Sequence, residues 1–286
     1  MFLKTGLSLR RFFKNPSTFS TLSNTTHRSA TNSIMTYNIL ISGTTKGLGR
    51  ALVEKYLGRP NTFVVATVRD PSTSEATSLQ DFPKAEGSDL TVVKIEARSD
   101  TDALEAVNTI SSKLSHLDLV IANSGFYTVP AAPQIAKIAP SDLLDHVNVN
   151  TAGTIRLFQA TLPLLQKAKE PIFAYISSMA GSIALTGELP FPTGIYGASK
   201  AAMNFLVRRI HQEHPELISV ALHPGAVMTP GGTVVSKDLG MDNPDFAGFY
   251  TTLEKSIDGM VGKLDNASRE ETSGKFLSFD DERLEW

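Results

Sequence analysis

"ILISGTTKGLGRALVEKYL", residues 39–57, runs from an apolar stretch into a helical pattern and places Gly43, Gly47 and Gly49 between the two. Glycine has no Cβ, so three of them at a strand-to-helix junction let a ligand come close to the backbone. A helix that opens on such a turn presents free N–H groups and the positive end of its dipole to an anion. In Rossmann-type α/β proteins the anion held there is the pyrophosphate of a dinucleotide, although glycine-rich turns between strand and helix occur in many folds. The spacing is GxxxGxG, which differs from the GxGxxG of two-domain dehydrogenases. Lys46 stands inside the turn and brings a positive charge to it.

Outward from this turn, apolar runs alternate with helical segments. The runs cover 37–42, 62–68, 90–97, 117–124, 171–178, 217–224 and 275–280. Several are apolar at successive positions, as expected of strands covered on both faces. The segments between them, such as "DTDALEAVNTISSKL" and "SDLLDHVNVNTAGTIRLFQATLPLL", carry helical spacing. The alternation predicts right-handed βαβ units. The fold class is therefore α/β: a Rossmann-type, doubly wound parallel sheet of seven strands with helices on both faces, three layers deep. Residues 37–286 read as one domain. In such a sheet ligands lie beyond the carboxyl ends of the strands, so the functional residues should follow them.

Bulk properties narrow the function. Apolar residues make up 41% of the 286 and charged residues 20%, a globular balance. A formal net charge of −2 gives no electrostatic footprint for nucleic acid or an anionic membrane surface. Cysteine is absent, which removes disulfides, thiolate metal sites and a thiol nucleophile. The histidines show no metal-ligand spacing, so no metal is expected. No apolar run approaches the roughly 18 residues of a membrane span.

Residues 1–36 differ from the rest. They hold Lys4, Arg10, Arg11, Lys14 and Arg28 among many Ser and Thr, and the first acid of the chain is Glu54. An Arg- and Ser-rich, acid-poor opening reads as an organelle transit peptide, which predicts a mitochondrial protein. Translation starting at Met35 would instead make the stretch a disordered or spurious extension and the protein cytoplasmic. Both readings stand, and neither assigns residues 1–36 to the fold.

Four further places carry chemistry. About 20 residues past the glycines, an acid would hold the ribose 2′-OH of NAD and an Arg the 2′-phosphate of NADP. Here Arg69 precedes Asp70. With Lys46 it makes two cations for a doubly charged phosphate, which favours NADP; the competing reading gives the ribose to Asp70. In "IYGASKAAMNFLVRRIHQE", Tyr196 and Lys200 lie four apart on one helix face. A free phenol, with a pKa near about 10, is a weak acid-base catalyst at neutral pH. A neighbouring ammonium favours its phenolate and lowers that value. Ser178 ends the fifth apolar run, where it could bond a substrate oxygen or merely cap a turn. Asn150 falls mid-helix, where Asn is a poor helix former, so its amide should be holding a backbone carbonyl or a water.

In order and spacing, "SGTTKGLG" (42–49), "ANSG" (122–125), "VNTAG" (149–153), "SSMAG" (177–181), "YGASK" (196–200) and "HPGAVMT" (223–229) resemble the short-chain dehydrogenase/reductase superfamily over residues 37–286. Within it the second strand, "FQATLPLL" and the ending "EETSGKFLSFDDERLEW" are similar to the norsolorinic acid ketoreductase type of carbonyl reductase. The resemblance implies Tyr196 as catalytic acid/base, Ser178 polarising the carbonyl, Lys200 binding the nicotinamide ribose and tuning Tyr196, and Asn150 holding a relay water. It implies NADP(H) on Gly43, Lys46, Gly47, Leu48, Gly49 and Arg69. Asn123 and Gly125 would line the adenosine side, and Pro224, Gly225, Val227 and Thr229 the nicotinamide end.

The chain departs from the pattern at Ser42, at Ser124 and at Glu96, which stands where an Asp by the adenine is frequent. Seventeen residues, more than usual, separate Ser178 from Tyr196. This insertion and residues 228–260 have loop-like composition, which predicts an apolar pocket under a closing lid. The expected activity is NADPH-dependent reduction of an apolar or aromatic ketone or aldehyde, by a homodimer or homotetramer joined through the helices after strands four and five. A non-catalytic NADP-binding module is the alternative from another class; a sugar-nucleotide epimerase fits the glycine spacing less well.

Overall fold

A computed structural model describes residues 36–128, 134–189, 194–280 and 282–286. The N-terminal stretch with its two readings, and part of the insertion before Tyr196, lie outside the described residues.

The predicted alternation is present. In chain order the elements are β1 (Tyr37–Ile41), α1 (Gly47–Leu57), β2 (Thr62–Val68), the short α2 (Ser74–Thr77), β3 (Asp89–Lys94), α3 (Asp102–Ile110) and β4 (Leu119–Ala122). They continue with α4 (Pro140–Val147), α5 (Gly153–Leu165), β5 (Ile172–Ile176), α6 (Gly194–Glu213), β6 (Ile218–His223), β7 (Ala226–Val227) and α7 (Pro230–Asp238). Last come β8 (Tyr250–Thr251), α8 (Leu253–Asp265), β9 (Phe276–Ser278) and β10 (Arg283–Leu284).

The main sheet runs β10-β9-β6-β5-β4-β1-β2-β3. Its seven expected strands pair in parallel, and the order reverses between β1 and β4, the switch point where a ligand belongs. Two additions were not foreseen. β10 joins the edge antiparallel to β9, and β7 pairs with β8 in a separate two-stranded ribbon. Two-residue strands are too short for any apolar alternation to announce them.

The strands feed two cores. Leu40, Val65 and Val120 point to one face, against α3, α5 and α6 residues such as Val107, Leu157 and Val207. Ile39, Ile41, Val64 and Ala66 point to the other, against Leu52 and Tyr56 of α1 and Met260 of α8. All of these are buried, which explains why the strands read as unbroken apolar runs. Residues 228–260 are less loop-like than expected. Thr229 and Thr252 cap α7 and α8 with their side chains, and Ile257, Met260 and Val261 bury one face of α8 in the core. Only the part before Thr252 borders the site.

Candidate active site

The glycine turn is built as its sequence requires. Gly43 and Gly47 take φ of +69° and +58°, a left-handed backbone that favours glycine. A Cβ on Gly49 would collide with the Gly43 carbonyl oxygen and stand 2.6 Å from Asn123 Nδ2. α1 then opens with no side-chain cap and no acid in its first turn. Its N–H groups and positive dipole end are left to an outside anion.

Asn123 and Ser42 hold this turn to the end of β4. Asn123 Nδ2 donates to the carbonyls of Ser42 (2.9 Å) and Gly43 (3.1 Å). Ser42 Oγ accepts from the main-chain N–H of Asn123 (3.0 Å) and Ser124 (2.9 Å). The departure at Ser42 is thus a staple.

A cleft of about 730 Å³ opens along the carboxyl ends of the strands. It extends from Lys46, Leu48 and Arg69 past Gly43, Gly47, Asn123 and Gly125 to Ser178, Tyr196 and Lys200, and then to Pro224, Gly225, Val227 and Thr229. Of the residues assigned a catalytic or cofactor role from the sequence resemblance, all line it except Gly49 and Asn150. At the Arg69 end, the Asp70 carboxylate accepts from Ser72 N (2.9 Å) and Ser72 Oγ (2.7 Å), bonds that hold its pKa below the ordinary carboxylate value. It is engaged with its own turn, whereas Arg69 lines the cleft.

At the other end, Tyr196 and Lys200 lie one turn apart on α6, facing the end of β5. Tyr196 shares a hydrogen bond with Ser178, and Ser178 Oγ also accepts from Ala180 N (3.2 Å), so it caps a turn as well. Lys200 Nζ donates to the Ile176 carbonyl (2.8 Å) and lies 4.7 Å from the centre of the Tyr175 ring.

The expected lowering of the phenol by an ammonium is not what this arrangement gives. Burial pushes Tyr196 up to about 12, against the hydrogen bond from Ser178, and pushes Lys200 down to about 7. Desolvation opposes the charged form of each, and Lys200 Nζ, bonded to Ile176, stands 5.6 Å from the Tyr196 ring centre.

Asn150 occupies a π-helical turn, 148–152, that joins α4 to α5 in place of one continuous helix. Its Oδ1 accepts from Phe126 N (2.7 Å), and its Nδ2 donates to Phe126 O (3.0 Å) and Ser199 Oγ (2.9 Å). The fully buried amide thus fixes the chain that follows Gly125, itself close to Lys200, to α6.

Three lining residues were not singled out individually, although Tyr250 falls in the 228–260 stretch expected to border the pocket. The Tyr127 ring meets Tyr196 edge-on, 4.9 Å between centres. His223 accepts from Met179 N at Nδ1 (3.3 Å), and burial pushes its pKa down to about 4, so the neutral ring braces the residue after Ser178. Tyr250 accompanies Leu239, Met241 and Phe249 on the apolar side of the cleft. Tyr127 and His223 stand at or just past strand ends, the rule that located the others; Tyr250 lies in a two-residue strand that gives no such signal.

Residues 37–240 match the family model for short chain dehydrogenases. The chain belongs to the short chain dehydrogenase family. It is 39% identical to a short-chain dehydrogenase of Pyricularia oryzae, over 85% of this chain and 95% of the relative. It is 36% identical to a norsolorinic acid ketoreductase of Dothistroma septosporum, over 86% and 91%. A solved NADPH bound carbonyl reductase from chicken fatty liver superposes with a TM-score of 0.76 at 30% identity, covering 88% of this chain and all of that one. As a member of the short chain dehydrogenase family, the protein is an oxidoreductase.

Proposed function

We propose that the protein is an NADPH-dependent carbonyl reductase acting on an apolar or aromatic ketone or aldehyde. The observation that carries this reading is the convergence of Ser178, Tyr196 and Lys200 on one wall of a single cleft, opposite a glycine turn with an uncapped helix. Names among the similar proteins, ketoreductase and carbonyl reductase, support the same class.

The residues fit a dinucleotide. The turn of Gly43, Gly47 and Gly49 leaves no Cβ against a pyrophosphate, and the open start of α1 offers it N–H groups. Lys46 and Arg69 would hold the 2′-phosphate, a reading supported by Asp70 being spent on Ser72. Asn123 and Gly125 would flank the adenosine side, and Pro224, Gly225, Val227 and Thr229 the nicotinamide. NADPH, when bound, supplies the hydride.

The chain supplies position and a proton. Ser178 Oγ donates a hydrogen bond to the substrate carbonyl, and Tyr196 gives its phenolic proton to the same oxygen as charge develops there. Kept protonated at neutral pH by burial, Tyr196 is in the form a reductase needs from its acid. Lys200 anchors the ribose and resupplies the proton, while Asn150, its amide taken up by Phe126 and Ser199, holds the chain beside it. The apolar wall of Leu239, Met241 and Phe249 suits a carbonyl on an apolar or aromatic body. Assembly through α5 and α6 belongs to this proposal, supported by Phe205, which is exposed on α6; sedimentation of the purified chain tests it.

The deciding experiment follows NADPH absorbance with quinones, aryl ketones, aldehydes and aliphatic diketones. Turnover that prefers NADPH to NADH is expected. NADPH binding without oxidation on any of them overturns the reading in favour of a binding module.

A further inference from the structure

Beyond the cleft, the turn that carries Ser178 is tied to a segment distant in sequence. Gly181 N donates to Ser178 O (2.8 Å) and Ser182 N to Met179 O (3.0 Å), so residues 178–182 form one hydrogen-bonded turn. That turn lies against the catalytic helix: a Cβ on Gly181 would come within 2.7 Å of Lys200 Cβ, and Asn204 Nδ2 donates to Gly181 O (3.2 Å). On its far side, Ser182 Oγ donates to Glu285 O (2.7 Å) and Ala184 N to Trp286 O (3.1 Å).

The segment 283–286 is itself fixed. β10 pairs with β9, placing Leu284 opposite Phe276, and the Trp286 indole stacks on Phe276 at 5.5 Å and 24° with the Arg208 guanidinium 6.0 Å from its centre. Trp286, Leu185 and Met179 pack against the same core. Trp286 does not line the cleft.

We propose that β10 and Trp286 form a clamp that positions the Ser178–Gly187 turn against α6, making Trp286 a positioning residue for the reductase site. Its kinetic consequence rests on the carbonyl reductase reading above. The indole, held between sheet edge and Arg208, fixes the main chain of residues 285–286. Their carbonyls fix Ser182 and Ala184, and these in turn fix where Ser178 meets Tyr196. The clamp closes from outside the substrate's reach, so it acts on placement alone.

The test compares full-length Trp286→Ala, Trp286→Phe and Ser182→Ala proteins with the unaltered chain, by steady-state kinetics and by amide exchange. Trp286→Ala is expected to lower kcat/KM about tenfold or more, a size in keeping with small misplacements at an active site. NADPH affinity should be unchanged and Trp286→Phe should largely restore turnover. Exchange should accelerate at residues 182–188 and stay unchanged in β1 to β3. Faster exchange with unaltered kinetics would reduce the contact to packing and overturn the positioning role; unaltered exchange would overturn the clamp itself. Ser182→Ala, which removes the bond to Glu285 O together with the one accepted from Leu185 N and almost no bulk, decides the matter by its kinetics if the Trp286→Ala protein does not fold. If the unaltered chain reduces no carbonyl, the functional reading falls while the exchange measurement still judges the clamp.

Discussion

The two ends of the cleft are made differently. The nucleotide end is backbone: a left-handed turn, an uncapped helix and a glycine packed on a carbonyl. The substrate end is side chain: Tyr127 edge-on to Tyr196, His223 bracing Met179, and an apolar wall between β7 and β8. A backbone cradle tolerates few residue types at each position, whereas a side-chain wall tolerates many. One end is therefore specified by short motifs, and the other by packing that leaves no fixed spelling.

The largest effect expected is at the point where the two ends meet. Tyr196→Phe should lower kcat by about a thousandfold, the scale of losing a positioned general acid, with NADPH binding retained in fluorescence titration. Full turnover by that variant would break the mechanism.

The next test belongs to the backbone end. Gly49→Ala must push the Gly43 carbonyl or the Asn123 amide aside. It should cost about 1–3 kcal/mol of stability, read as a lower melting temperature, and weaken NADPH binding more than carbonyl binding. An Ala at Gly187, where a Cβ would meet nothing within 4 Å, should leave both unchanged.

A smaller change is expected at Arg69. Arg69→Ala should reduce the preference for NADPH over NADH by roughly tenfold, as loss of one charge-assisted contact does. An unchanged preference would return the ribose to Asp70.

A separate effect falls on stability alone and comes from burial at Lys200. Between about pH 7 and pH 10 the unfolded chain keeps a proton on Lys200 that the folded chain has released. Stability should climb with pH over that window. Above pH 10 the sign reverses, because Tyr37 and Tyr196, pushed up to about 12, stay protonated when folded and ionise when unfolded. The melting temperature of Lys200→Met should lack the climb and keep the fall.

Seven parallel strands were legible because their central residues are buried on both faces, the glycine and Ser178 positions because they follow strand ends, and Tyr196 with Lys200 because a spacing of four sets them on one helix face. The π turn at Asn150 was legible only as a misplaced amide, since it depends on bonds to Phe126 and Ser199 from other parts of the chain. The direction of the Tyr196 and Lys200 shifts escaped the sequence altogether. Spacing places a phenol beside an amine, but burial decides which form each prefers. β7, β8 and β10 are set by tertiary pairing of two residues apiece, too little for a periodic signal.

The ribbon of β7 and β8 has a consequence for divergence. Ala226 and Val227 lie beside Tyr250 and Thr251, so the excursion between them leaves and rejoins the body of the protein at one place. A detour closed at its base can lengthen or shorten at little cost, since doubling a loop adds only about 0.6 kcal/mol of closure entropy. The stretch from Pro230 to Phe249, beyond Thr229 and its place by Gly47, is thus set like an exchangeable cassette in a fixed socket. Descendants of such a chain can change what the cleft accepts by rewriting that cassette while the sheet beneath it stays untouched.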